Sequence, residues 1–205
     1  MSPIVLPDNP SGYEAAARVL REGGVVALPT DTVYGIAARP DDAAATDRLF
    51  DAKQRPRDLT LPVLVSNAGQ AREIARFDDR AARLAQELWP GALTLVLPRT
   101  PASEGWDLGG DRASIGVRVP DHPLALAVLA GGALATTSAN RSGEAPASTC
   151  AELLDAFGGD VEVYLCQDDP LVGEPSAVVS LLGDAPAILR RGNLDQAMIA
   201  RLSAG

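Results

Sequence analysis

The stretch Gly23-Gly24-Val25-Val26-Ala27-Leu28-Pro29-Thr30-Asp31-Thr32-Val33-Tyr34-Gly35 (23–35) decides the fold class. A glycine pair stops whatever precedes it, an apolar run follows, and a polar run then opens at a proline. So short an apolar run, bounded by turn residues, reads as a buried strand with 29–35 as a loop at its carboxyl end. Upstream, Ser11 and Glu14 have the spacing of a capping box for a helix over about 12–22. Downstream, Asp41-Asp42 opens a second helix with Ala45, Leu49 and Ala52 on one face, ended by Pro56. Helix, buried strand and helix in succession is the pattern of an α/β fold.

The alternation continues along the chain. Strands are expected over 61–65, 92–97, 115–119, 133–137, 161–165, 177–182 and 187–190. Two short Arg-rich amphipathic helices run as far as Leu88, and Trp89-Pro90-Gly91 turns the chain. Further helices are expected over 123–130, from a Thr149/Glu152 capping box to Phe157, and over 194–202. No repeat or Pro/Gly/Ser linker divides the chain, so a single domain over 1–205 is expected. Hairpin-length spacings near the end predict a mixed sheet, with ligands outside the carboxyl ends of strands.

Composition excludes several classes. Of the 205 residues, 46% are apolar and 22% charged, enough for a core and too ordered a mix for a tail or fibre. No apolar run approaches the ~20 residues of a membrane span, and Met1–Pro10 lacks the basic start and apolar core of a signal peptide. A soluble cytoplasmic protein is therefore expected, without membrane association. Against 27 Asp and Glu stand 18 Lys and Arg, a net charge of −9 that speaks against a general grip on nucleic-acid backbone. Cys150 and Cys166 form no CxxC pair and have no nearby His, so they read as structural thiols of the usual buried kind. Lys53 is the sole lysine among the 18 cations, and His122 the sole histidine.

Particular segments offer chemistry. Lys53-Gln54-Arg55-Pro56-Arg57 crowds cations that either await an anion such as a polyphosphate or simply complement the end of a helix. Thr30–Gly35 either binds a small polar ligand or closes its strand with a hydroxyl turn. Thr136-Thr137-Ser138-Ala139-Asn140-Arg141-Ser142-Gly143 is a plausible phosphate cradle that matches neither a P-loop nor a dinucleotide fingerprint. Arg118, inside an apolar strand, must be ion-paired or face a ligand; Arg190 and Arg191 raise the same question. His122, beside Asp121 at a helix start, is either a general base or structural. No nucleophile elbow occurs, and carboxylates are scattered, so acyl-enzyme and glycosidase chemistry lack support.

Taken together, these segments resemble the YrdC/TsaC family of threonylcarbamoyl-AMP synthases from about Gly12 to Asn193. The matching runs are Pro-Thr-Asp-Thr-Val-Tyr-Gly (29–35), Lys-Gln-Arg-Pro (53–56) and Trp-Pro-Gly-Ala-Leu-Thr (89–94). Val-Arg-Val-Pro-Asp-His-Pro (117–123), Thr-Ser-Ala-Asn-Arg-Ser-Gly (137–143), Pro-Ser-Ala-Val-Val (175–179) and Ile-Leu-Arg-Arg-Gly (188–192) follow in order. Without a further C-terminal domain, the chain resembles the short form. The resemblance implies a twisted open mixed sheet flanked by helices, with a concave basic cleft. It also implies a reaction of L-threonine, bicarbonate or CO₂ and ATP that yields threonylcarbamoyl-adenylate and pyrophosphate. A partner transferase would then move the group to tRNA.

The family's paired Lys-x-Arg and Ser-x-Asn motifs fall on Lys53, Arg55, Ser138 and Asn140, the implied catalytic set. By the same resemblance Thr30, Arg118, Ser138 and Ser176 contact threonine, with Thr32 and Tyr34 shaping its pocket. Lys53, Arg57, Ser114, Asn140, Ser148 and Arg190 contact ATP. Mg²⁺ would accompany the leaving pyrophosphate, with no protein side chain expected to ligate it. Thr60 stands where the family usually has proline, and Ala177 where it has threonine. Rival expectations are a YciO-type paralogue of the same fold, a module for structured RNA using the same cleft, and a carbamoyl-transfer domain of the hydrogenase-maturation type, which the absence of zinc-finger cysteines disfavours.

Overall fold

The computed structural model describes residues 4–7 and 10–203. Helix α1 (Pro10–Arg21) ends ahead of Gly23, whose φ of +79° turns the chain into strand β2 (Val26–Leu28). Pro10 is the first helical residue, a position where a fixed φ suits and a missing N–H costs nothing. Ser11 therefore lies inside the helix instead of capping it. After the polar loop the chain returns antiparallel as β3 (Gly35–Ala38), with Leu28 opposite Gly35 and Val26 opposite Ala37. This strand escapes the sequence pattern because Gly-Ile-Ala-Ala shows no alternation.

Helix α2 (Ala43–Lys53) is capped by Asp42, whose carboxylate accepts from the N–H groups of Ala44 and Ala45 at 3.0 and 3.2 Å. It stops at Lys53, before Pro56, because Gln54 adopts a left-handed conformation (φ 51°) and its N–H bonds to the Asp51 carbonyl. The remaining helices are α3 (Ala68–Ile74), α4 (Asp79–Leu88), α5 (Pro123–Leu129), α6 (Cys150–Phe157) and α7 (Gln196–Ser203). The remaining strands are β1 (Ile4–Pro7), β4 (Val63–Leu64), β5 (Leu93–Pro98), β6 (Ser114–Arg118) and β7 (Leu134–Ser138), then β8 (Val163–Cys166), β9 (Ala177–Ser180) and β10 (Ala187–Arg190). Strand β1, like β3, was not among the expected strands.

All the strands join one sheet in the order β1-β8-β2-β3-β7-β4-β6-β5-β9-β10. Parallel pairs (β1/β8, β2/β8, β4/β6, β5/β9) and antiparallel pairs (β2/β3, β3/β7, β4/β7, β5/β6, β9/β10) are interspersed along it. The sheet is mixed, as the spacings required. Successive residues of a strand face opposite sides, and β2 divides accordingly. Ala27 joins the larger core with Leu49 of α2, Ile74 of α3, Leu84 of α4 and Phe157 of α6. Val26 and Leu28 join a smaller core under Leu20 of α1 and Leu124 and Val128 of α5. Each such buried aliphatic side chain contributes roughly 1.5–3 kcal/mol before chain entropy is counted.

Cys150 and Cys166 are not separate buried thiols: they form a disulfide across a Cα–Cα distance of 5.6 Å, and both are half-exposed. The bond ties the first turn of α6 to the end of β8. Pairing depends on spatial approach, which a spacing of 16 residues does not disclose.

Candidate active site

Lys53 is the last residue of α2, and the left-handed turn at Gln54 leaves its side chain directed inward, only 3% exposed. Its ammonium donates to the Ser138 carbonyl at 2.7 Å, the Ser138 hydroxyl at 3.2 Å and Asn140 Oδ1 at 2.5 Å. Asn140 is itself fixed, its amide donating to the carbonyls of Arg141 and Glu144 at 2.8 and 2.7 Å. The Ser138 hydroxyl also donates to Asn140 Oδ1, at 2.7 Å. Burial pushes Lys53 down from 10.5 to about 8, helped by the positive charge of Arg55 and opposed by Glu144. The end of α2 and the end of β7 are thus cross-linked through one buried ammonium.

Beside this cluster lies a cavity of about 130 Å³. Its lining draws on carboxyl ends (Thr30 after β2, Arg118 of β6, Ser138 of β7, Arg190 of β10) and on amino ends (Gly35 of β3, Thr94 of β5). A rule restricted to carboxyl ends belongs to parallel sheets, and the antiparallel pairs here bring both kinds of end together.

Thr30 closes a hydroxyl turn, as the simpler reading of 29–35 expects, and also lines the cavity. Its Oγ1 donates to the Val33 carbonyl at 2.7 Å and accepts from the Thr32 N–H at 3.2 Å. Arg118, 6% exposed, donates through Nε to the Gly91 carbonyl (2.9 Å), through one terminal nitrogen to Thr32 Oγ1 (3.0 Å) and through the other to Asp31 Oδ1 (2.6 Å). Burial lowers its pKa and the neighbouring Asp31 carboxylate opposes that shift. Of its five N–H groups, these bonds leave one on each terminal nitrogen for a ligand.

Tyr34 is wholly buried, and its hydroxyl accepts from the Gln167 N–H at 3.1 Å, which fixes the root of the 167–176 segment. That segment lies hard against the 29–34 loop. A Cβ on Gly173 would stand 1.9 Å from the Thr32 carbonyl oxygen, so only glycine permits this approach. At its far end Ser176 shares a hydrogen bond with Thr94 (2.9 Å), and Arg190 donates to the Ser176 carbonyl and hydroxyl at 2.8 and 3.2 Å. Arg55 completes the lining, held by the carbonyls of Leu59 (3.3 Å) and Thr60 (3.1 Å). Burial lowers its pKa, and Arg190 adds to that shift. Thr60 thus supports this loop through its backbone, a contact proline could equally supply. Ala177 is buried at the start of β9, where its N–H bonds to the Ala92 carbonyl at 2.9 Å.

Of the six expected nucleotide contacts Arg190 lines the cavity, Lys53 and Asn140 adjoin it through Ser138, and the other three lie elsewhere. Arg57 pairs with Asp47 and Asp107 and lies 4.7 Å over the ring of Phe50. Ser148 donates to the Glu152 carboxylate at 3.0 Å, beside the cap of α6. Ser114 opens β6, roughly 13 Å along the strand from Arg118. His122 approaches Gln167 at 3.3 Å, and it too is absent from the lining. Two residues at the site were not singled out: Thr94 and Asp31. Both lay within quoted segments, and only the fold distinguishes them from ordinary strand and turn residues.

This arrangement defines a class, an α/β protein with a buried lysine bridging two loops next to a small cavity ringed by hydroxyls and arginines. The family model Sua5/YciO/YrdC, described as "Telomere recombination", matches residues 18–192, and the chain belongs to that family. A threonylcarbamoyl-AMP synthase of Halorhodospira halophila is 41% identical over 160 residues, covering 77% of this chain and 83% of that protein. The crystal structure of P. abyssi Sua5 complexed with L-threonine matches with a TM-score of 0.87 at 30% identity, over 100% of this chain and 61% of that one. E. coli YciO matches with a TM-score of 0.85 at 27% identity, over 95% of this chain and 98% of that one. The chain therefore spans about three-fifths of the P. abyssi protein's length and nearly all of that of YciO.

Proposed function

We propose that this protein is an L-threonylcarbamoyl-adenylate synthase, a nucleotidyltransferase that supplies the threonylcarbamoyl group for N6-threonylcarbamoyladenosine in tRNA. The observation that carries the reading is the Lys53–Ser138–Asn140 cluster adjoining a hydroxyl- and arginine-lined cavity. The name of the H. halophila relative and the threonine held by P. abyssi Sua5 point the same way.

In this mechanism the cavity takes threonine, with Thr30, Ser138 and Ser176 on its polar groups and Arg118 on its carboxylate. Thr32 and Tyr34 set the shape of that end. The amine of threonine forms a carbamate with bicarbonate, releasing water, or with CO₂, releasing a proton, and the carbamate oxygen attacks the α-phosphorus of ATP. The α–β phosphoanhydride bond breaks and pyrophosphate leaves. No covalent enzyme intermediate is needed, so the chain's task is to align two anions and stabilise charge on the phosphate oxygens. Lys53, Arg55 and Arg190 supply that charge, with Asn140 orienting Lys53. Arg57 and Ser148 join the nucleotide only if their loops turn inward when it binds, and Ser114, held in β6, only if the nucleotide reaches the start of that strand. Among the described residues no cluster of three or more His, Cys, Asp or Glu side chains could hold a metal. Mg²⁺ would arrive with ATP as its phosphate complex and offset charge on the leaving pyrophosphate.

The product passes to a transferase that acts on tRNA, in the cytoplasm. None of the described helices is long and apolar enough to cross a membrane. The disulfide is the feature least usual in that reducing compartment. Incubation with ATP, Mg²⁺, bicarbonate and each amino acid in turn is expected to release pyrophosphate with threonine alone. Release independent of threonine, or none with any amino acid, would favour a YciO-type paralogue.

A further inference from the structure

We infer that Asp31 is a positioning residue for the threonine end of the site, acting through Arg118; the inference rests on the reading of Arg118 given above. Asp31 does not line the cavity. It stands behind Arg118, with Oδ1 2.6 Å from the guanidinium, and the two side chains are 15% and 7% exposed. Among the described residues it is the one carboxylate ion-paired with any of the cavity's arginines, Arg55, Arg118 and Arg190.

Arg118 has three anchors: a backbone carbonyl at Gly91, the Thr32 hydroxyl and Asp31. The first two are neutral acceptors at 2.9 and 3.0 Å, whereas Asp31 is charged and bonds at 2.6 Å, the shortest and strongest of the three. Asp31 is thus the anchor that fixes the plane of the fork, and with it the direction of the two N–H bonds left over. A bidentate grip on a carboxylate depends on that direction, because two parallel bonds fail together when the plane rotates. Asp31 also offsets a cation otherwise facing Arg190 without a counter-charge.

Orientation and charge make different predictions. Asp31→Asn keeps an oxygen acceptor in place and discards the charge; Asp31→Glu keeps the charge and displaces the oxygens by one methylene. If direction is what Asp31 supplies, Asp31→Glu raises the threonine KM by about tenfold or more and Asp31→Asn by about threefold, with the ATP KM near wild type in both. Arg118→Ala is measured alongside. If Arg118→Ala raises the threonine KM and the Asp31 variants do not, or raise it equally, or raise both KM values together, the role of Asp31 is refuted and the reading of Arg118 survives. Should Arg118→Ala leave the threonine KM unchanged, both are refuted. Asp31→Ala leaves a buried guanidinium without its counter-charge and so destabilises the fold, and the Asn and Glu variants decide.

Discussion

Lys53 carries the sharpest consequences of any single side chain. Its buried ammonium, at about 8 in place of 10.5, is destabilised by roughly 3 kcal/mol relative to water. The unfolded chain keeps that proton up to about 10.5 and the folded chain only to about 8. The cost is therefore fully present below 8 and relieved as pH rises from 8 toward 10.5. Activity runs the other way, because the phosphates need the cation. The kcat/KM for ATP is expected to fall as pH rises through about 8, and a limb absent from the Lys53→Arg profile would assign it. Lys53→Met removes the buried charge and one donor from each of the Ser138 carbonyl and Asn140 Oδ1, which keep the Asn140 N–H and the Ser138 hydroxyl as donors. Three lost bonds at about 0.5–1.5 kcal/mol each nearly offset the relieved burial. Its unfolding free energy should lie within ~2 kcal/mol of wild type while adenylate formation drops ~10²–10³-fold. A variant that unfolds, or one that keeps its rate, contradicts this.

The elements show which parts of the site can be read from sequence. Thr30, Lys53, Arg55, Ser138 and Asn140 each sit in or at the edge of a dense polar segment; local pattern marks the segments but leaves a structural reading open, and the family resemblance is what singles out the residues. Arg118 is legible for a different reason, as a cation in an otherwise apolar strand. Arg57 belongs to the same dense loop as Lys53, yet Asp47 and Asp107 hold it away; its direction depends on residues far along the chain. Thr94 is hidden because a threonine in a strand is unremarkable until Ser176 lies beside it. Strand β3 is hidden because Gly-Ile-Ala-Ala shows no alternation, and β1 because Ile-Val-Leu-Pro is cut short by its own proline. The disulfide is the largest such omission, and it closes a loop of 16 residues between α6 and β8. Chain-entropy reasoning assigns about 3 kcal/mol to a loop of this length. The Cys150→Ser/Cys166→Ser double variant is expected to lose up to that amount in urea unfolding, whereas an unchanged midpoint would mean the bond does not constrain the unfolded chain. Because Cys166 leads directly into Gln167, whose N–H bonds to Tyr34, the same bond steadies one wall of the cavity.

At the scale of the molecule, charge separates the enzyme from an RNA-binding module. A surface with net −9 repels a polyanion except where arginines cluster. Binding of unmodified tRNA at ~0.15 M salt is expected to be no tighter than ~10 µM by fluorescence anisotropy, in the range of non-specific contact. Submicromolar affinity with a steep loss on adding salt would favour the RNA-binding reading. The mixed sheet explains how so acidic a chain still brings three arginines together: its strand directions place Arg118 and Arg190 at one small hollow, and the loop after α2 adds Arg55. Within that architecture the solitary lysine has an outcome for protein chemistry. Acylating reagents, acetyl donors and ubiquitin ligases find no other ε-amine on the chain. With its proton held at about 8, some tenth of it is free amine at neutral pH. Because that lysine is 3% exposed and its amine bonded to Ser138 and Asn140, a mass increment that is not at the amino terminus reports, molecule by molecule, that the junction of α2 and β7 has opened.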